Sequence, residues 1–291
     1  MRYDITLRLA YEYERVASSG RHLLCLAPAA IDGVQRLVAS HVEVVPKPIE
    51  EVLRRDFFGN SVMMIAYRDP HERIDITLQA RVHRFAESPA LNLCPTLDQL
   101  VAELAHCRDV SPRSPLHFLG VSHRVTADPE MAAFARGVIE PGMSVVEAVR
   151  ALTLAVHEAM AFDADATEVG TTATEAFAHR RGVCQDYSHI LIACLRSLGI
   201  PAGYVSGYLR TVPPPGAKRM QGADAMHAWV RAWCGADAGW IEVDPTNAVP
   251  VSTDHILVAV GRDYADIAPI RGVSRLSGGQ IGRHTVDVIP E

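Results

Sequence analysis

None of the six cysteines, at positions 25, 94, 107, 184, 194 and 234, is spaced from another as Cys-x-x-Cys. A zinc ribbon or a thioredoxin-type motif is therefore excluded, and a dense disulfide framework is not expected. The chain also lacks a long apolar run. Val62–Tyr67 is among its longest, far short of the ~20 residues needed to span a bilayer. The first fifteen residues carry charges throughout and hold no apolar h-region, so they read as mature protein, not a signal peptide. Basic excess is missing too. With 28 Lys and Arg against 34 Asp and Glu, the net charge is −6, so no phosphate backbone is an expected partner. There is no block of like charge that would form an interaction tail.

Three motifs fail at the position that matters. His157-Glu158 has Ala161 where a zinc-protease helix needs its second histidine. The stretch from Asp163 begins like a calcium loop but offers Glu168 in place of glycine and Thr174 at the twelfth position. Ser277-Gly278-Gly279-Gln280 has no Lys-Ser/Thr and is not a phosphate loop; it is expected to be a mobile turn at the cleft. These absences leave an expectation of no cofactor, no metal, no nucleic acid and no membrane partner. The scattered cysteines are expected as reduced thiols in a cytoplasmic setting.

What is present is an ordinary globular composition, 48% hydrophobic and 21% charged over 291 residues. At roughly 150 residues per domain, two domains are expected. Strand signals fill the first part. Asp4–Tyr13 places Ile5, Leu7 and Leu9 on one face. Segments 34–46, 60–67 and 73–85 are rich in Val and Ile and bounded by turn residues, and Phe58-Gly59-Asn60 is a turn signal. A β domain ending near Arg84 follows. Prolines punctuate 86–127, a connecting stretch with a short helix near 97–106.

From Asp128 the texture becomes helical. Asp128-Pro129 reads as an N-cap with proline at the first position. Ser144 and Glu147 form a capping-box pattern ahead of 145–161. Residues 183–198 carry apolar side chains at 187, 190, 191, 194, 195 and 198, the period of a buried helix face, and Gly199 stops it. Strands are expected at 202–210, 226–234 and 239–244, with Pro213–Gly216 as a loop. Helices followed by strands make this second part α+β. We divide the chain into 1–110, an N-terminal antiparallel β domain with its connecting segment, and 111–291, a core of helices packed on an antiparallel sheet with a C-terminal tail.

Cys184 opens the 183–198 helix. Unpaired N–H groups and the helix dipole at that position favour a thiolate, which is the nucleophilic form. Arg180 and Arg181 add positive charge nearby, and Gly182 lets the chain approach closely. The Cys184 N–H is placed to donate to an oxyanion. Cys194 lies mid-helix on the apolar face and reads as a core residue; Cys25, Cys94, Cys107 and Cys234 have no comparable setting.

A thiolate needs a base and an orienting group. His227 begins one strand and Asp244 ends the next, with Gly235–Gly239 as the hairpin turn. If paired numbers sum to an odd value, as in Trp233 opposite Trp240, Asp244 lies diagonal to His227 on the same face. An even sum would put them on opposite faces. Asp186 reads as a helix-start acid, Thr171, Thr172 and Thr174 as loop and cap residues, and Trp229, Trp233 and Trp240 as core packing.

These segments resemble a known family. TTATEAFAHRRGVCQDYSHILIACLRSLGIPAGYVSGYL, HAWVRAW and GWIEVDPTN are similar to bacterial transglutaminase-like proteins of the cysteine-protease type. The resemblance extends to HILVAVGRDYADIAPIRGV, and to YEYERVASSGRHLLCLAP and DFFGNSVMMI in the N-terminal domain. It implies a papain-like α+β core with Cys184, His227 and Asp244 as the catalytic triad. It further implies acyl transfer from an amide through a thioester, with a peptide, a protein or a small amide as substrate. Hydrolysis is the expected outcome. Transamidation on the same triad and a non-catalytic binding module are the alternatives, separated by product analysis and by thiol reactivity. Two departures concern the groove: Met226 where a small residue such as Ser is usual, and a long loop over 211–224.

Overall fold

A computed structural model describes residues 1–86, 94–211, 222, 224–275 and 277–291. The expected loop at Pro213–Gly216 lies outside the described residues, and the longer 211–224 loop is described only at 211, 222 and 224.

The N-terminal part is built from six strands: β1 (Arg2–Ala17), β2 (Ser19–Leu24), β3 (Gln35–Val45), β4 (Glu50–Arg55), β5 (Ser61–Tyr67) and β6 (His71–Arg84). Alternation along β1 buries Tyr3, Ile5, Leu7 and Leu9, as the pleat requires of every second side chain. Gly59 closes the expected turn at φ +85°. The connecting stretch holds α1 (Leu97–His106), whose Thr96 and Gln99 form a capping box.

The core follows as α2 (Pro129–Val138), α3 (Val145–Ala159), β7 (Ala161–Phe162), α4 (Ala173–His179), β8 (Arg181–Gly182) and α5 (Cys184–Ser197). Asp128 caps α2 by accepting from the N–H groups of Glu130 and Met131, each at 2.9 Å. Ser144 and Glu147 cap α3 reciprocally. Gly199 ends α5 at φ +78°. Strands β9 (Ala202–Leu209), β10 (Ala225–Trp233), β11 (Trp240–Asp244), β12 (Val249–Pro250) and β13 (His255–Gly261) then form one antiparallel sheet in the order β12-β11-β10-β9-β13.

The tail is α6 (Tyr264–Ile267), β14 (Ile270–Arg275) and β15 (Gln280–Pro290). It returns to the N-terminal part. There β15 pairs with β1 and β14 with β2, giving two four-stranded sheets, β15-β1-β6-β3 and β14-β2-β5-β4. The turn between β14 and β15 packs on β1, with Gly279 N–H donating to Glu14 Oε2 at 2.8 Å.

Alternation along β10 sorts its two faces. Ala228, Val230 and Ala232 join the helices in the main core. Trp229, with Val205 and Leu257, faces Ala29 and Ile31 of the N-terminal part. Gly207 is glycine because a Cβ there would overlap the Trp229 indole and the Ile256 carbonyl. The free edge of β13 is closed by two buried amides. Gln35 accepts from Leu257 N–H (2.9 Å) and donates to Leu257 O (2.8 Å). Asn60 accepts from Val260 N–H (2.9 Å) and donates to Val260 O (2.8 Å). Each amide does what a neighbouring strand would do, so the edge presents no unpaired ladder at those residues.

Candidate active site

Cys184 is the first residue of α5 and is partly exposed. The helix start is fixed by Asp186, whose Oδ2 accepts from the Val183 N–H (2.8 Å) and from Thr167 Oγ1 (2.7 Å). Burial raises the Asp186 pKa, and those two hydrogen bonds work against the rise. Asp186 is thus a structural acid. Gly182 is required beside it, since a Cβ would lie 2.5 Å from the Asp186 carboxylate. Among the described residues the Cys184 N–H meets no acceptor, as expected of a first-turn donor. The two arginines before it are directed elsewhere: Arg180 lies over the Phe177 ring at 3.7 Å, and Arg181 faces Asp163 at 3.6 Å.

The β10–β11 hairpin has the odd-sum register. Trp233 pairs with Trp240 and Arg231 with Glu242. Cross-strand pairs share a face, so His227, Trp229 and Asp244 share one. His227 Nε2 lies 2.8 Å from Asp244 Oδ2, and both side chains are buried. An ionised carboxylate only accepts, so Nε2 carries the proton and Nδ1 is left for Cys184. Burial disfavours the imidazolium. The hydrogen bonds to Asp244 and Cys184, and the negative charge of both, outweigh it and push the His227 pKa up to about 10. Burial would raise Asp244, yet its hydrogen bonds to His227, His255 and Asn247 hold it well below the usual carboxylate range.

Asp244 is more heavily engaged than the sequence suggests. Oδ2 also accepts from Asn247 Nδ2 (2.7 Å) and faces His255 Nε2 at 3.1 Å, and Oδ1 accepts from the N–H groups of Thr246 (2.9 Å) and Asn247 (3.2 Å). His255 Nδ1 accepts from the Ser252 N–H at 3.2 Å. That fixes the His255 proton on Nε2, which donates to Asp244. His227, Asp244 and His255 bring three ligand-type atoms within 4.8 Å. The nitrogen of His255 facing that point is an N–H donor, so the trio fits a hydrogen-bond cluster and not a metal ligand set.

His255 and Asn247 were not singled out in the sequence. Asn247, three residues after Asp244, has a local signal as an Asx-type turn partner. His255 has none, because it reaches Asp244 through the sheet. Tyr204 on β9 is buried beside Cys184. Burial, and then the charge of Cys184, raise its pKa well above the ordinary value. The threonines hold to loop and cap duty: Thr172 caps α4, Thr171 accepts from Glu168 N–H, and Thr174 donates to Asp128.

Comparison with known proteins gives a consistent family. The transglutaminase-like superfamily matches residues 132–245, and the bacterial transglutaminase-like N-terminal region matches residues 3–83. An uncharacterized protein of Mycobacterium tuberculosis is 33% identical over 99% of this chain and 93% of its own length. One from Mycobacterium leprae is 32% identical over 90% of this chain and 89% of its own. In three dimensions the chain resembles the "Putative Cysteine Protease" of Cytophaga hutchinsonii, with a TM-score of 0.76 at 22% identity over 99% of this chain and 90% of that one.

Proposed function

We propose that this chain, which belongs to the transglutaminase-like superfamily, is a cysteine-nucleophile enzyme that hydrolyses an amide or peptide bond through a thioester. The observation that carries the reading is His227, held through Nε2 by the buried Asp244 at 2.8 Å, with Cys184 near enough to help raise its pKa. A base oriented by a carboxylate beside a helix-start thiol is the arrangement nucleophilic catalysis requires.

In this mechanism the Cys184 thiolate attacks the carbonyl carbon, and the Cys184 N–H donates to the oxyanion that forms. The C–N bond breaks as the imidazolium of His227 passes its Nδ1 proton to the leaving amine. Water then gives a proton to Nδ1 and attacks the thioester, releasing the acid and the Cys184 sulfur. Asp244 keeps its charge throughout and stabilises the imidazolium. Hydrolysis is favoured because Cys184 is partly open to solvent, while transamidation needs a site that holds an amine and excludes water. Among the described residues no helix is long and apolar enough to cross a membrane, and we place the enzyme in the reducing cytoplasm on its six free thiols.

The test is the rate of iodoacetamide alkylation at each cysteine, read by mass spectrometry from about pH 5 to pH 9. Cys184 should react far faster than Cys94 or Cys107 at pH 6, and His227→Ala should abolish the difference. Equal rates in the wild type would sink the proposal and favour a binding module.

A further inference from the structure

A cleft of about 1370 Å³ lies between the N-terminal part and the β10–β11 face of the core. None of Cys184, His227 and Asp244 lines it. Its walls carry four arginines, Arg55, Arg113, Arg150 and Arg231, against three acids, Asp32, Asp56 and Glu242. Two of those acids are engaged. Glu242 accepts from Trp229 Nε1 at 2.8 Å, and both oxygens of Asp56 accept from Asn60.

Arg231 is the unusual member. Its guanidinium stacks on Trp240 at 3.9 Å, with the Phe118 ring at 5.9 Å. Its Nε is buried with no hydrogen-bond partner. Among the described residues, neither Arg231 nor Arg113 nor Arg150 has a hydrogen bond or an ion pair to a protein oxygen. Burial lowers the Arg231 pKa to about 10, with Glu242 acting against the fall and nearby Arg113 adding to it. A stacked guanidinium is held flat, and its in-plane N–H edge is set for two parallel bonds to an oxyanion. The Nη groups are not closed off as Nε is; they are the donors left to the cleft, and with a second arginine nearby the pair favours an anion there.

We propose that this cleft binds a ligand carrying a carboxylate or phosphate on an apolar body, anchored by the Arg231 fork and seconded by Arg113. The Trp240 and Phe118 rings, packed edge to face at 5.1 Å, supply apolar wall beside the anchor. This inference does not depend on the acyl-transfer reading. Arg231 sits four residues along β10 from His227, about 13 Å at ~3.3 Å per residue, and the buried Trp229 lies between them.

The experiment is calorimetric titration of the full chain with phenylacetate, phenyl phosphate and inorganic phosphate, at matched ionic strength, with benzyl alcohol as the neutral control. Saturable binding of phenylacetate or phenyl phosphate, absent for benzyl alcohol, is expected; whichever binds tighter identifies the oxyanion. Arg231→Gln should weaken it at least about tenfold, the loss of one charged hydrogen bond. Arg231→Lys, which keeps the charge but loses the fork, should weaken it too. Arg113→Gln changes an exposed residue, so it tests the pair even if Arg231→Gln misfolds; affinity should fall there as well. No saturable binding, or unchanged affinity in Arg113→Gln or in a folded Arg231→Gln, overturns the proposal.

Discussion

Replacing Asp244 by Asn tests the electrostatics of the site while keeping its shape. In the wild type the carboxylate receives five hydrogen-bond contacts, three at Oδ2 and two at Oδ1. An amide can present oxygen to only one of these groups. Its NH2 must face either His227, His255 and Asn247 or the backbone N–H groups of Thr246 and Asn247. Each buried donor left unpaired costs about 1–3 kcal/mol, so the variant should melt at a lower temperature. The larger effect is on His227. Asp244 offsets the burial that opposes the imidazolium. Without that carboxylate the His227 pKa falls.

The sign follows directly. The wild-type His227 pKa is raised, so the imidazolium is kept until pH rises through about 10. Asp244 is lowered, so it stays ionised until strong acid. Between pH 5 and 9 the wild-type pair is therefore constant, while Asp244→Asn has no charge to offer at any pH. A charged hydrogen bond is worth about 1.5–3 kcal/mol, or about ten- to a hundredfold in thiolate population. Cys184 alkylation at pH 6 should fall by that factor. A folded Asp244→Asn, verified by circular dichroism, whose alkylation profile matches the wild type would refute the reasoning.

Two further outcomes are expected. His255→Leu removes one donor from the Asp244 carboxylate and should slow Cys184 alkylation at pH 6 by about tenfold, whereas His255→Gln, which can still donate to Asp244, should recover most of the rate; equal loss in both variants would assign His255 to packing alone. Gly207→Ala drives a methyl into the Trp229 ring and the Ile256 carbonyl and should lower stability by about 1–3 kcal/mol in urea unfolding, and an unchanged midpoint would show that the strand has room to shift.

The parts of this fold that were legible in sequence are those with a local cause. Helix α5 declared itself by its apolar period and by Gly199. Helices α2 and α3 were marked by Asp128 and by the Ser144–Glu147 pair. The β10–β11 register was reachable because a glycine-bounded turn between Trp233 and Trp240 limits the pairings to two parities, and the odd one occurs. Strand β4 left no such trace: Glu50–Arg55 is exposed along nearly its whole length, so no alternation shows. The tail was opaque for another reason. Strands β14 and β15 pair with β2 and β1, from about 250 to about 290 residues earlier, and no local pattern encodes a partner that distant. Trp240 packs edge-on against Phe118 and Trp233, as expected of it, and also forms one wall of the cleft between the N-terminal part and the core. Its neighbour Arg231 carries no local signal in the sequence; the sheet places it over that ring.

The distant pairings are what make the N-terminal part integral to the site. Strand β13 begins with His255, which donates to Asp244, and Asp244 holds His227. The free edge of β13 is completed by Gln35 and Asn60, both from the N-terminal part. On the same side, Ala29 and Ile31 cover Trp229, which lies between His227 and Arg231 on one strand face. Chain entropy favours slack in an edge strand that lacks a neighbour, and here the neighbour is a pair of side-chain amides from another part of the fold. The position of the proposed base is thus set by contacts made across the whole chain, through β13 and then through the carboxylate. A core cut out as residues 111–291 would keep Cys184, His227 and Asp244 in sequence but would lose the amides that hold β13, and with them the support behind His255.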